Sequence, residues 1–392
     1  MTDVFILSGQ RTAIGDYGKS LKDIPPTKLG EIAIRAALAK SGVEAAEIQH
    51  VVFGSVIHTE PKDAYISRVA AVQAGIPVET PAMTVNRLCG SGMQAIISAA
   101  QSIMLGDAAL AVGGGAESMS RGGYLLPNER WGARLGDSKV IDMVVGALND
   151  PFGHGHMGIT AENVAAQYGL TREMQDEFAA ESHKRAAAAQ AAGYFKEQIC
   201  PVELPSRKGV VIFDTDEHVR ADTTAESLAG LKPVFKKDGT VTAGNASPLN
   251  DAGSAVVLAS GAEVTRRNLK PMARIVAYGH AGVAPEVMGL GPIPATQNAL
   301  RKAGLTVADL DVIESNEAFS SQACAVTRDL GLDPAKVNPN GGAVALGHPV
   351  GASGGIILIK TMYELHRTGG RYGLATMCIG GGQGISVIIE RV

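Results

Sequence analysis

The chain of 392 residues carries 19% charged side chains, a net charge of −4 and 48 glycines. So sparse and slightly acidic a charge set excludes the basic track that nucleic acid requires, and the length exceeds one ordinary core, so two or three domains are expected. Four scattered cysteines without CxxC or Cys/His spacing argue against a metal site and for free thiols in a reducing cytoplasm, and no basic leader or continuously apolar stretch of about 20 residues calls for a membrane.

In chain order, VFILSG reads as a strand, followed by a helix over 30–41 and a strand over 50–56. Cys89 then stands directly before Gly90-Ser91-Gly92. Met93, Ile96, Ile97, Ala100, Ile103 and Met104 recur at helical spacing and predict a buried helix over 91–105. At the mouth of that helix the Cys89 thiol meets unpaired N–H groups and the positive dipole end, which predicts a shift toward thiolate. Gly90 and Gly92 are expected to let another molecule approach the backbone closely. A strand over 108–113 follows.

Residues 119–247 differ in character, rich in Gly, Pro and charge, as a functional insertion would be. Within them Gly153-His154-Gly155-His156-Met157-Gly158 fits GxGxxG, but no strand precedes it and no suitably placed acidic residue follows, so a dinucleotide site is set aside. Two helices are expected there, around NVAAQYG and from an N-cap at Thr171 to Gly193. The segment NASPLNDAGSAVVLAS returns the chain to the first half.

The second half repeats the alternation, with a helix over 294–303, a strand over 311–315, a helix over 353–367 and a strand over 372–378. Leu38, Lys40 and Gly42 match Leu300, Lys302 and Gly304, and Ser91-Gly92 match Ser353-Gly354, every pair 262 residues apart. Two α/β halves packed about a pseudo-twofold axis are predicted: 1–118, completed by 248–270, and 271–392, with 119–247 inserted as a loop domain. Under the repeat Cys89, His348 and Cys378 correspond to Gly351, Asn86 and Ala116. The frame is duplicated while the reactive side chains differ, as expected if distinct groups converge on one cleft.

His348 lies in the loop GGAVALGHPVGASG, and Cys378 ends a strand ahead of a glycine run in MCIGGGQG. Gly351-Ala352-Ser353-Gly354-Gly355 also fits GxSxG, but a hydrolase places its histidine after the serine, and His348 precedes it. Together with VNRLCGSGMQAI and SNEAF, these segments resemble the four signature regions of the thiolases. The resemblance spans the whole length, with HMGITAENVA, TAGNASPLNDAGSAVV and GLGPIPA also in family order.

That resemblance implies the five-layered α-β-α-β-α thiolase fold with duplicated halves and an inserted loop domain, in a homotetramer built as a dimer of dimers. The implied activity is acyl transfer: Claisen condensation of two acetyl-CoA to acetoacetyl-CoA plus CoA, or thiolysis of another 3-ketoacyl-CoA. No cofactor beyond the substrate's own CoA and no metal is implied. By family position Cys89 is acylated, His348 takes the thiol proton, and Cys378 moves the α-proton and protonates the departing CoA. Asn316, through a water, and His348 form one oxyanion hole; the N–H groups of Cys89 and Gly380 form the other.

For coenzyme A, family position puts Ser247 on the pantetheine, with Leu148, His156, Met157, Ala243, Phe235, Met288, Ala318 and Phe319 along the walls and Arg220 and Ser227 near the adenine and phosphates. Arg207 and Lys208 are considered as aids to the phosphates or as a solvated loop. The stretch RWGARLGDSKVIDMVVGALNDPFGHGHMG resembles bacterial β-ketothiolases of the polyhydroxyalkanoate type, leaving direction and chain length open between polyhydroxybutyrate biosynthesis and fatty acid metabolism. Ketoacyl synthases pair their cysteine with two histidines, against which Cys378 and Asn316 stand. A branch of the family with HDCF in place of NEAF is likewise disfavoured. Outside enzymes, the rival reading is a non-catalytic acyl-CoA-binding protein.

Overall fold

The computed structural model describes residues 2–392. The longer elements run β1 (Val4–Thr12), α1 (Pro26–Ser41), β2 (His50–Gly54), α2 (Ile66–Gln73), β3 (Ala82–Val85), α3 (Ser91–Leu105) and β4 (Leu110–Ser118). After an insertion that contains α4 (Met157–Tyr168) and α5 (Arg172–Ala191) come β5 (Asn250–Ser260), β6 (Ala273–Gly282), α6 (Pro292–Ala303), β7 (Val312–Ser315), α7 (Ser320–Asp329), α8 (Val350–Thr368), β8 (Tyr372–Ile379) and β9 (Gln383–Arg391).

The strands lie side by side in the order β7-β8-β9-β6-β1-β5-β4-β2-β3. On one flank β3, β2 and β4 are parallel, while β5 and β1 are antiparallel to their neighbours. The other flank repeats that pattern, β7 parallel to β8, then β9 and β6 antiparallel. The halves meet where Phe5 and Ile6 of β1 pair with Arg274 and Ala273 of β6. The 262-residue displacement reappears in the elements: His50 and Val312 open matching strands, Leu110 and Tyr372 do the same, and Gly42 and Gly304 are matching left-handed caps at φ 75° and 67°.

Burial explains the layering. Leu29, Ala33, Ile34, Ala37 and Leu38 of α1 press on Val51, Phe53, Val112 and Val257, covering the outer face of the first flank. Between the two flanks, α3 and α8 share one apolar cluster that joins Met93, Ile96, Ile97 and Ile103 to Ile357, Leu358, Val387 and Ile389. Ala299, Leu300, Ile313, Leu374 and Ile388 close the far outer face beneath α6. The outcome is α-β-α-β-α. Helix α3 is apolar enough to pass as a membrane span, and Met93, Ile96, Ile97, Ala100 and Ile103 are instead buried in this central layer.

Several element ends differ from the pattern expectation for identifiable reasons. The strand expected over 50–56 stops at Gly54, because the N–H groups of Val56 and Ile57 turn to the Glu117 carboxylate at 3.0 and 3.1 Å. The strand expected to end at Gly113 continues to Ser118; its glycines belong to a buried central strand crossed closely by α3 and α8. Helix α8 starts at Val350, so Ser353 sits in a helical first turn rather than on a strand-to-helix elbow. Helix α4 begins at Met157 with His156 as its cap. Helix α5, by contrast, begins as expected after its N-cap Thr171, whose Oγ1 accepts the Met174 N–H at 3.3 Å. Gly90 and Gly92 do not open the backbone to a ligand. A Cβ on Gly92 would stand 2.8 Å from the Gly351 carbonyl and one on Gly90 2.6 Å from Ile379, so both serve the crossing of the halves.

Candidate active site

The turn that carries Cys89 is held by its neighbours. Asn86 Oδ1 accepts the Leu88 N–H at 3.0 Å; Ser91 Oγ accepts the Arg87 N–H at 2.9 Å and donates to the Leu88 carbonyl at 2.6 Å. These bonds secure Leu88 in a left-handed conformation, φ 46°, a backbone state that costs a side-chain-bearing residue of order 1 kcal/mol and places Cys89 just before α3. The backbone N–H groups of Cys89 and Gly380 are directed at Sγ and favour the thiolate. Burial outweighs them: surrounded by protein except on its cleft face, the thiol is pushed up to about 11 rather than down, contrary to the sequence expectation.

His348 is buried, with its backbone N–H donated to Asn250 Oδ1 at 2.8 Å, while Asn250 Nδ2 donates to the Gly15 carbonyl at 3.0 Å. Its Nδ1 lies 2.6 Å from Ser353 Oγ, and Asn316 Nδ2 lies 3.5 Å from Nε2. Burial pushes this imidazole down to about 4, so it is neutral and able to accept a proton at neutral pH. Asn316, beside Nε2, lines a small adjoining pocket rather than the wall of the main cavity. Next to it, the Glu317 carboxylate is directed away into a buried set of donors, Ser182 Oγ at 2.7 Å, Asn338 Nδ2 at 2.7 Å and the Val344 N–H at 3.1 Å.

Cys378 is buried at the end of β8, before a turn through Gly380, Gly381 and Gly382. The last two take φ 80° and 85°, where glycine is favoured. Burial and the adjacent Cys89 push its thiol up. Across the pseudo-twofold, the counterpart of Cys89 is Gly351, whose N–H donates to Glu117 Oε2 at 2.9 Å. Glu117 thus binds three N–H groups from both halves without a cation, and burial pushes it up to about 8.

Cys89, His348, Cys378 and Gly380 line one cavity of about 470 Å³. Its walls include Leu148, His156, Met157, Arg220, Phe235, Ala243, Ser247, Met288, Ala318 and Phe319, and its polar points are few, as in a small-molecule site. Phe235 stacks on His156 at 4.7 Å and meets Phe319 edge-on at 6.3 Å, closing an apolar sleeve. His156 Nδ1 accepts the Gly158 N–H at 3.1 Å, leaving Nε2–H as the free donor.

Ser227 does not reach this cavity. It is exposed in a capping box with Thr224, because α-helical capping at 224–227 engages its hydroxyl. Arg207 and Lys208 form the tip of a hairpin between Val202–Ser206 and Gly209–Phe213, also away from the cavity walls. A larger hollow of about 720 Å³ over 170–185 and 324–338 contains one cysteine, Cys324, and its Glu317 is already bonded three times.

Sequence reasoning missed four residues that organise the site: Ser353, Asn250, Glu117 and His218. His218 lines the cavity with Nδ1 2.9 Å from Asp16 Oδ1. Asn250 lies inside TAGNASPLNDAGSAVV and Ser353 inside GxSxG, patterns that name neither residue's partner. Nothing in the local sequence marks Glu117 or His218.

The family models described as "Thiolase, N-terminal domain" and "Thiolase, C-terminal domain" match residues 4–262 and 269–391. The chain is 62% identical to "Beta-ketothiolase BktB" of Cupriavidus necator, over 100% of this chain and 99% of that protein. It is 51% identical to an "Acetyl-CoA acetyltransferase" of the same organism, over 100% of both. Among solved structures, that of human mitochondrial 3-ketoacyl-CoA thiolase superposes with a TM-score of 0.98 at 46% identity, covering 100% of this chain and 99% of that one.

Proposed function

From the premise that this chain belongs to the thiolase family, we propose how its own residues carry out the family's acyl transfer. The protein is an acyltransferase of the acetyl-CoA C-acetyltransferase kind, acting on acyl-CoA thioesters. The observation that carries the assignment of roles is the convergence of two thiols and one neutral imidazole, from different halves, on a single cavity.

Acylation begins when Cys89 Sγ attacks the thioester carbonyl as His348 Nε2 takes its proton. The oxyanion forms in front of positioned donors, and loss of one such donor typically costs about 10²–10³ in kcat. The C–S bond to CoA breaks, and Cys378 gives its proton to the leaving sulfur. Cys378 thiolate then takes an α-proton from a second acetyl-CoA, whose carbanion attacks the acyl carbon on Cys89. That attack forms the new C–C bond, and collapse of the tetrahedral oxyanion restores the carbonyl and breaks the C–S bond to Cys89, which recovers its proton from His348. Both proton carriers end as they began, so the cycle is closed and reversible. With the nucleophile and both proton carriers supplied by the chain, the proposed cycle calls for no cofactor beyond CoA.

The aliphatic wall beside Cys89, made by Met119, Val144, Leu148, Leu249 and Val350, supports acceptance of acyl groups longer than acetyl. We place the chain in synthesis of short β-ketoacyl-CoA for polyhydroxyalkanoate-type metabolism; kcat/KM falling steeply beyond the four-carbon substrate would count against the longer chains. Free thiols at all four cysteines support a reducing, cytoplasmic setting, to be checked by cell fractionation. Exposed apolar side chains in the insertion support a tetramer built as a dimer of dimers.

The test is CoA-dependent loss of acetoacetyl-CoA enolate absorbance combined with intact-protein mass. Cys89→Ser should lose acyl transfer almost completely. Cys378→Ser should still gain an acetyl group on Cys89 yet fail to condense. An unacetylated Cys378→Ser protein that is otherwise folded contradicts the assignment, and an inactive wild-type protein favours a mere acyl-CoA binder.

A further inference from the structure

We infer that Ser353 is a positioning residue that selects the His348 tautomer able to accept the Cys89 proton; this rests on the reading of His348 as that base. The serine belongs to GxSxG, and the reaction as derived makes no use of it. It lies in the first turn of α8, five residues after His348, and both side chains are buried. Its hydroxyl reaches back four residues to the Pro349 carbonyl at 2.9 Å, a bond in which a carbonyl can only accept. With the serine hydrogen directed there, Oγ presents lone pairs to His348 Nδ1, 2.6 Å away, and the hydrogen in that contact is the imidazole's own.

A neutral imidazole carries one N–H. Held on Nδ1, it leaves Nε2 with a lone pair. The other neighbour agrees in polarity, since the group 3.5 Å from Nε2 is the Asn316 Nδ2 amide, a donor. The opposite tautomer would put N–H against N–H on that side and leave Nδ1 facing a hydroxyl already committed to Pro349. Ser353 thus sets the direction in which the base points its lone pair, as the orienting carboxylate does in a Ser-His-Asp triad, here with an uncharged group. Because no charge is involved, the effect should be smaller than that of a buried carboxylate.

Rapid-quench mass spectrometry of Cys89 acetylation by acetyl-CoA, alongside steady-state thiolysis, tests this in the full-length protein. Ser353→Ala should slow acetylation and kcat about 10–100-fold, the scale seen when a group orienting a histidine is removed, with KM within about twofold. Ser353→Thr, which keeps a hydroxyl able to bond the carbonyl four residues back, should restore most of the rate. In a His348→Asn background Ser353→Ala should cause less than about a twofold further loss, since there is no tautomer left to select. Should alanine unfold the protein, Ser353→Cys retains volume while weakening the acceptor and should show the same slowing. Wild-type acetylation rates in Ser353→Ala, or an equal loss in the His348→Asn background, overturn the inference. Failure of the wild-type protein to acetylate Cys89 instead overturns the underlying reading of the site.

Discussion

Burial pushes the Cys89 thiol up to about 11, so at neutral pH it rests protonated and acts as a nucleophile by losing its proton during attack rather than before it. The helix mouth is visible in the sequence; the protein packed over Cys89 from β8 and the insertion is not, and burial outweighs the dipole. Because the folded value is raised, thiolate accumulates only as pH climbs toward it. Alkylation of Cys89 in the free enzyme should therefore accelerate about tenfold per pH unit through the neutral and mildly alkaline range. A plateau near pH 8, followed by peptide mapping that places the label on residue 89, would show a preformed thiolate and reverse this account. His348 follows the complementary logic, since burial pushes it down and preserves a lone pair for the proton Cys89 gives up.

At the scale of elements, the site depends on how closely two central helices and a central strand pass one another. A Cβ on Gly115 would run into the Gly351 carbonyl and the Gly92 Cα, and one on Gly354 into Met93. Gly115→Ala should cost about 3 kcal/mol or more by forcing α8 away from β4, and the measured melting temperature should fall by several degrees. Retention of the wild-type melting temperature with full activity would mean that the crossing has slack. The alternation of helix and strand, the displacement between halves and the motif-borne Cys89, His348 and Cys378 were all legible in the chain. Element ends were less so, because they are set by distant partners: β2 stops where Glu117 captures two N–H groups, and Ser353 joins a helix that starts earlier than its apolar period suggests. Ser227, carried over by family position as a contact for the adenine and phosphates, lies exposed outside the cavity with its hydroxyl bonded in its own helix cap.

For the molecule as a whole, the insertion leaves Tyr124, Leu125, Leu126, Trp131, Leu135, Val140 and Ile141 on the surface, with Trp131 81% and Leu135 99% exposed, more apolar surface in one segment than a solitary subunit ordinarily shows. Multi-angle light scattering should give four chains per particle, and Trp131→Glu with Leu135→Glu should reduce that to two; a 40.5 kDa species from the wild-type protein would refute the assembly. The carboxylate of Glu117 has a different kind of consequence. It fills, in one copy of the repeat, the spot that a reacting sulfur occupies in the other: a side chain at 351 would stand 2.6 Å from Glu117 Oε2 and also against the Ala116 carbonyl. A nucleophile can therefore not be restored to the silent copy by a single replacement, nor the two copies made equivalent without dismantling the seam between them. Symmetry survives as architecture while chemistry is confined to one side, and each polypeptide can hold only one acyl group in transit at any moment.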